Sequence, residues 1–454
     1  MRRKSAGLLI MYSKKLSEEF KKHSIKIGDR ISITDAKGTN EGMLMPRPDV
    51  GESDILIIKR DDGYNIGIRY AKNTKIKKVS GKPAAAPERK PSAKQQKGLP
   101  KVTLLYTGGT IGSKLDYVSG GVKALTKAEE LLAEVPELSG IVELDVKQIM
   151  SVFSEDMTHE EWKKIAEEAA EAVNNGSKGV IITHGTDTMH YTASALSFML
   201  HNLNAPVVLT GAQRSSDRGS SDAFMNLICA AYAAGHSDIA EVVVCMHADS
   251  SDNECVLIRG TKARKMHTSR RDAFKAINNS AIAYVSRKGE IKYVSAYKKQ
   301  EESKGKAVAK TAFEPKVELL YIHPDSSPDI LEFLISKGYK GVILAGTGLG
   351  HMPINTKHSG YNWKDSLKKA VDSGMVIGMT SQCLYGRVNP RVYSTARELA
   401  ALGIVYCEDM LPETAYVKLS FLLANNREEA EKLLAKSIAG EITARTEADW
   451  TSDI

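Results

Sequence analysis

Two short strings in this chain of 454 residues carry side chains suited to chemistry: Thr107-Gly108-Gly109-Thr110-Ile111 and Thr183-His184-Gly185-Thr186-Asp187-Thr188. A threonine hydroxyl is a weak nucleophile until a neighbouring group removes its proton. Gly108 and Gly109 permit a tight turn and a close approach of backbone amides to a reacting carbonyl. Thr186 and Asp187 add a second hydroxyl beside a carboxylate. That pair suits orienting a water or gripping an ammonium group, and equally suits the start of a helix. The set as a whole suggests attack by a hydroxyl on a small amide. It is not a phosphate loop, because residues 108–114 lack the Gly-Lys-Ser/Thr ending.

Other candidates are weaker taken singly. Lys265 lies in the basic run Arg259-Gly260-Thr261-Lys262-Ala263-Arg264-Lys265. A lysine base must be neutral, which requires burial or nearby cations, and an ion pair with Asp187 opposes that. Ser154, in Ser154-Glu155-Asp156, and the free amides of such a turn suit a carboxylate. His184 and His190 fit no zinc-ligand spacing and read as structural or site-lining. The glycines of Gly346-Thr347-Gly348-Leu349-Gly350-His351 do not follow the dinucleotide spacing. No metal site is expected.

The elements that must position these residues follow from hydropathy. Each string follows an apolar, β-branched run, at 102–106 and 180–182. Each therefore reads as a buried strand ending in a polar turn, where open α/β sheets bind ligands. Further strands are expected at 207–209, 242–246, 317–322, 342–345 and 376–379. Helices are expected at 127–132, 160–174, 193–200 and 419–434, with Thr158 and Glu161 forming a capping box. This alternation predicts a mostly parallel sheet with crossover helices.

Before it, residues 25–80 alternate short apolar runs with turn signals, Asp62-Gly63 the strongest, and read as a small β-barrel. The expected organisation is a tail with a short helix over 1–24, a β-barrel domain over 25–80, and a flexible basic linker over 81–99. An α/β lobe with the site follows over 100–300, then a connection over 301–316 and a second α/β lobe over 317–454. The 42% apolar and 26% charged residues are those of an ordinary globular protein. The net charge of +8 permits a polyanionic partner without requiring one. Five cysteines without a CxxC pair argue for reduced thiols in a cytoplasmic setting. No run of about 18 apolar residues suggests a membrane span. The faint resemblance of residues 2–12 to a signal peptide lacks a cleavage site, and Met11 is an alternative start.

From Lys101 onward the chain resembles the bacterial-type L-asparaginase/glutaminase family. The resemblance rests on Thr-Gly-Gly-Thr-Ile at 107–111, Ser-Glu-Asp-Met at 154–157, Thr-His-Gly-Thr-Asp-Thr-Met at 183–189, Thr-Gly-Ala-Gln-Arg at 210–214 and Arg-Gly…Lys…Asp-Ala-Phe at 259–274. It implies Thr110 as the nucleophile and Thr186, Asp187 and Lys265 as a second catalytic group. Backbone amides at Gly109 and Thr110 would face the oxyanion, and Ser154 and Asp187 would hold the substrate's α-carboxylate and α-amino group. Tyr117 falls, with looser spacing, where the family carries a lid tyrosine. The family's lysine matches either Lys262 or Lys265; counting back from Asp272-Ala273-Phe274 favours Lys265. Glu155 stands where simple asparaginases have glutamine.

With the N-terminal unit included (Glu41-Gly42-Met43-Leu44-Met45-Pro46-Arg47-Pro48, Gly63-Tyr64-Asn65-Ile66-Gly67-Ile68), the whole chain is similar to the D subunits of archaeal glutamyl-tRNA(Gln) amidotransferases. The fold this implies is two-lobed, asparaginase-like α/β, preceded by a small all-β barrel. The function it implies is hydrolysis of glutamine, with ammonia passed to an E subunit in a heterotetramer that converts Glu-tRNA(Gln) to Gln-tRNA(Gln). ATP and magnesium would belong to that E subunit, and no cofactor to this chain. A homodimer through the asparaginase-like part and a cytoplasmic location are also expected. The alternative is a free-standing L-asparaginase/glutaminase.

Overall fold

The computed structural model describes residues 12–46, 52–61, 65–79, 96–109, 111, 113–115, 122–124, 127–215 and 220–446. Thr110, Tyr117, the Asp62-Gly63 turn, most of the expected linker, the residues before 12 and those after 446 lie outside them.

Helix α1 (Lys14–Lys22) precedes five antiparallel strands: β1 (Arg30–Asp35), β2 (Gly38–Leu44), β3 (Ile55–Lys59), β4 (Asn65–Arg69) and β5 (Lys75–Lys78). Their order is β4-β3-β2-β1-β5. Lys59 lies opposite Asn65, so β3 and β4 pair on either side of the expected turn. Leu16 and Phe20 of α1 close this unit's own core over Ile31, Ile33, Leu56 and Ile58.

The first α/β lobe runs through β6 (Lys101–Tyr106), β7 (Ser113–Leu115), β8 (Val122–Ala124), α2 (Ala128–Glu134), β9 (Glu143–Gln148), α3 (His159–Asn174), β10 (Gly179–Thr183), α4 (Met189–Met199), β11 (Leu200–His201), β12 (Val207–Thr210), α5 (Ala223–His236) and β13 (Val242–His247). It continues with β14 (Glu254–Arg259), the hairpin of β15 (Ala263–Lys265) and β16 (Phe274–Ala276), then β17 (Ala283–Ser286) and β18 (Ile291–Tyr293). Its eight-stranded sheet has the order β18-β17-β14-β13-β12-β10-β6-β9. Strands β9, β6, β10, β12 and β13 are parallel, whereas β14, β17 and β18 are antiparallel. The sheet is therefore mostly parallel, as expected, with three antiparallel strands added on one side. Of the antiparallel strands, β17 and β18 are short and partly exposed, whereas β14 has six residues with four of them buried.

Strands at the centre are buried on both faces, which is why they read as continuous apolar runs. Val102, Leu104 and Tyr106 point towards α5, while Leu105, Val180 and Ile182 point towards α3 and α4. Thr158 caps α3 as expected: its hydroxyl accepts from the Glu160 N–H at 3.3 Å, and Glu161 accepts from the Thr158 N–H at 2.7 Å.

The second lobe contains β20 (Val317–Tyr321), α6 (Asp329–Ser336), β21 (Gly341–Gly346), α7 (Lys364–Asp372), β22 (Val376–Ser381), α8 (Ser394–Ala401), β23 (Val405–Tyr406), α9 (Pro412–Asn425) and α10 (Ala430–Leu434). Its sheet is all parallel, in the order β20-β21-β22-β23. The short β19 (Val308–Ala309) pairs with β11 in the segment joining the lobes. The late helix expected over 419–434 is two helices, broken at Asn426, and the first begins earlier, at Pro412. That first helix, α9, is buried almost throughout, so it carries no amphipathic period to mark its start. It packs in one core with α4 of the first lobe and with Ile343 and Val376 of the second. Among the described residues no helix is long and apolar enough to cross a membrane.

Candidate active site

The chain leaves β6, pairs β9 on one side of it, and then places β10 on the other. The strand order thus reverses between β6 and β10, and in open α/β sheets the crevice outside the carboxyl ends of the strands at such a point is where ligands bind. Both candidate strings begin there. Tyr106 lies opposite Thr183 in the parallel register, so residues 107 and 184 leave the sheet at one level. The Thr107 hydroxyl donates to the Thr183 carbonyl at 2.7 Å and ties the two exits together.

The glycines are required by crowding. Gly108 and Gly109 have φ of +137° and +79°, a region that L side chains avoid. A Cβ on Gly108 would lie 2.2 Å from the Val152 carbonyl oxygen, and one on Gly109 would lie 2.9 Å from the Gly185 nitrogen. The turn after β6 is thus wedged between the loop after β9, which carries Ser154, and the loop after β10. Ser154 is buried beside Gly185, where a Cβ would come within 2.8 Å of its Oγ. The Ser154 carbonyl accepts from the Thr188 hydroxyl at 2.6 Å.

Lys265 arrives from β15. Its ammonium donates to Thr186 Oγ1 at 2.9 Å and to Asp187 Oδ1 at 2.6 Å. The lysine side chain is 10% exposed and the aspartate 66% exposed, so the ion pair has one buried and one solvated end. Lys262, the other candidate, is buried and pairs with Asp409 at 2.8 Å, away from Thr186. Thr186 and Asp187 do not cap α4: Thr188 holds that position, and its side chain makes no capping bond. Of the expected site residues, Gly109, Ser154, Thr186, Asp187 and Lys265 therefore gather at one crevice. Thr110 and Tyr117 lie outside the described residues.

His184 is a structural support. The Trp162 indole N–H donates to the Thr192 hydroxyl at 2.9 Å, which leaves that hydroxyl to donate to His184 Nε2 at 2.8 Å. Nδ1–H then donates to the Gly185 carbonyl at 2.6 Å, fixing the turn before Thr186. Burial pushes the His184 pKa down to about 4. Burial, with the charges of Arg264 and Lys265 adding to it, pushes that of His190 down to about 3. Unfolded histidines titrate near 6.5. Between about pH 6.5 and 4 the unfolded chain binds more protons than the folded one. The contribution to stability is complete above this window and is lost as pH falls through it. Denaturant midpoints should decline between pH 7 and 4.5, and less steeply for His184→Gln; equal slopes would contradict the assignment.

The role of the Thr-Gly-Ala-Gln-Arg string was not legible beforehand. Gly211 gives space to the site: a Cβ there would lie 2.6 Å from the His184 carbonyl oxygen and 3.0 Å from Thr186 Cγ2. Buried Asp222 accepts from the Gln213 and Arg214 N–H groups, each at 3.0 Å, and so fixes this loop. The string itself was the available signal; its partner Asp222 had none.

Three regions of the chain match known families: residues 25–79 match the GatD N-terminal domain, residues 101–299 the asparaginase N-terminal domain, and residues 316–433 the glutaminase/asparaginase C-terminal domain. The D subunit of the glutamyl-tRNA(Gln) amidotransferase of Pyrococcus furiosus is 49% identical over 94% of this chain and 98% of its own length. The chain belongs to the family of amidotransferase D subunits. Within that family, the Methanopyrus kandleri protein is 43% identical over 96% of this chain and 95% of its own length. This chain is also similar to simpler enzymes over 76% of its length. The L-asparaginase of Thermococcus kodakarensis superposes with a TM-score of 0.67 at 31% identity, covering 76% of this chain and 99% of that one. L-asparaginase I of Vibrio cholerae gives a TM-score of 0.66 at 30% identity, covering 76% and 100%.

Proposed function

We propose that this chain hydrolyses glutamine by way of a threonine ester and supplies the released ammonia to a partner subunit that amidates Glu-tRNA(Gln). The observation that carries this reading is the hydrogen-bonded set of Lys265, Thr186 and Asp187 at the crevice beside the Thr107-Gly108-Gly109 turn. With one lone pair of Thr186 Oγ1 taken by Lys265, its O–H is left to donate. That favours Thr186 as donor or proton relay and Thr110, next in the chain after Gly109, as the attacking group.

In this scheme the Thr110 oxygen bonds to the side-chain carbonyl carbon of glutamine. Backbone amides at Gly109 and Thr110, with the Thr186 hydroxyl, receive the oxyanion. The threonine proton passes to the departing nitrogen, the C–N bond breaks and ammonia leaves. Water then attacks the ester, releasing glutamate and returning the proton to Thr110. Ser154 and Asp187 bind the α-carboxylate and α-amino group, and Tyr117 covers the site. ATP and magnesium are assigned to the E subunit, this chain being assigned no cofactor. A heterotetramer built on a homodimer of this chain, in the cytoplasm, completes the reading.

The test is ammonia release by the full chain from glutamine and from asparagine, alone and with the E subunit, ATP and Glu-tRNA(Gln). Glutamine turnover should rise on addition of partner and charged tRNA. Efficient asparagine turnover that ignores both would instead mark a free-standing asparaginase.

A further inference from the structure

Residues 262–265 place three cations in four positions, and each has its own carboxylate. Lys265 pairs with Asp187 at the site. The other two pair with the second lobe: Lys262 with Asp409 at 2.8 Å, and Arg264 with Glu413 at 2.8 Å. Within β15 alternation sets Arg264 opposite to Lys265, and Lys262 lies in the turn just before the strand. Asp409 and Glu413 are four positions apart at the entry to α9, and both are nearly inaccessible to water. Asp409 is itself fixed by the Thr443 N–H at 3.0 Å.

The backbone around β15 is fastened to the same place. The Thr261 carbonyl accepts from the Thr414 hydroxyl at 3.2 Å, and Asn278, just beyond β16, donates to the Asp409 carbonyl at 2.9 Å. The hairpin carrying Lys265 has only three residues in each strand, too few to be rigid alone. Its lysine must nevertheless meet two groups on a loop of the first sheet.

We propose that Asp409 and Glu413 of the second lobe are positioning residues for Lys265: by holding Lys262 and Arg264 they keep its ammonium on Thr186 and Asp187. The proposal rests on the glutaminase reading of that site for its catalytic consequence, whereas the clamp itself is a matter of geometry.

The test uses the full chain with Glu413→Gln and, separately, with Arg264→Gln, which removes the partly exposed end of the same pair. Circular dichroism checks that each variant is folded. Two quantities are then read: acetylation of Lys265 by acetic anhydride, followed by mass spectrometry, and the kinetics of glutamine hydrolysis. Lys265 should be acetylated several-fold faster in both variants. The kcat should fall by up to about 10²-fold, the order expected for a catalytic group displaced by about 1 Å, with KM little changed. Arg264→Lys, which keeps a charge towards Glu413, should recover most of both. Acetylation of Lys265 at the wild-type rate in a folded Glu413→Gln chain overturns the proposal. If the unaltered chain releases no ammonia from glutamine, the glutaminase reading fails while the acetylation comparison still decides the clamp.

Discussion

Thr186→Val is expected to lower kcat for glutamine hydrolysis by about 10²- to 10³-fold, the cost typical of losing one oxyanion donor. Valine keeps the β-branched shape that packs its methyl group near Gly211, so the loop after β10 has no steric reason to move. What disappears is the hydroxyl that accepts from Lys265 and is left to donate into the crevice. Lys265 retains Asp187, and the ion pair keeps one of its two anchors. Because Thr186 is only half-buried, the thermal midpoint should stay within a few degrees. Thr186→Ser, which restores the hydroxyl, should recover a large part of the rate. Steady-state kinetics with glutamine decide it: an unchanged kcat in Thr186→Val removes this residue from the mechanism.

The second large effect concerns stability. Lys418 and Glu441 form an ion pair at 2.6 Å with both side chains fully buried. Burial pulls the Lys418 pKa down, and Glu441 opposes that pull. The lysine also donates to the Leu434 carbonyl at 3.0 Å, and Glu441 accepts from the Ala439 N–H at 2.7 Å. The pair therefore ties α9 to the chain beyond α10. Lys418→Met fills the same space but strands a buried carboxylate. Breaking such a pair from one side costs about 3–5 kcal/mol. At about 2–4 °C per kcal/mol for a lobe of this size, the midpoint should fall by on the order of 10 °C. Replacing both partners, Lys418→Met with Glu441→Gln, should recover part of the loss, because no lone charge remains. A single variant that melts with the unaltered chain would show that the carboxylate finds water or a proton at little cost.

How much was legible beforehand depended on the physics of each element. The central strands were, because burial on both faces leaves an uninterrupted apolar run, as in Val180-Ile181-Ile182. The cap of α3 was, because Thr158 and Glu161 interact across one helical turn. Helix α5 was not found and α9 was found only in its second half: each is buried nearly all round, and the period that reveals a surface helix is missing. Strands β17 and β18 were missed because they are short and half-exposed, so their place in the sheet comes from neighbours rather than from their own pattern.

The candidate site divides along the same line. The residue types, the order of the strings and their place after strands were set by the sequence alone, as was the similarity to amidohydrolases. Which lysine meets Thr186 was favoured by counting back from Asp272-Ala273-Phe274, but the contact itself is made by the tertiary structure. Lys262 and Lys265 differ by three positions in one basic run and are chemically alike. One meets Asp409, 147 positions away, and the other Asp187, 78 positions away. Lys262 lies in the turn before β15 and Lys265 at its end, and only the packing of two lobes around that hairpin determines which of them meets the crevice. Electrostatic partners separated by that much chain leave no local signature, because their attraction is expressed only after both lobes have folded.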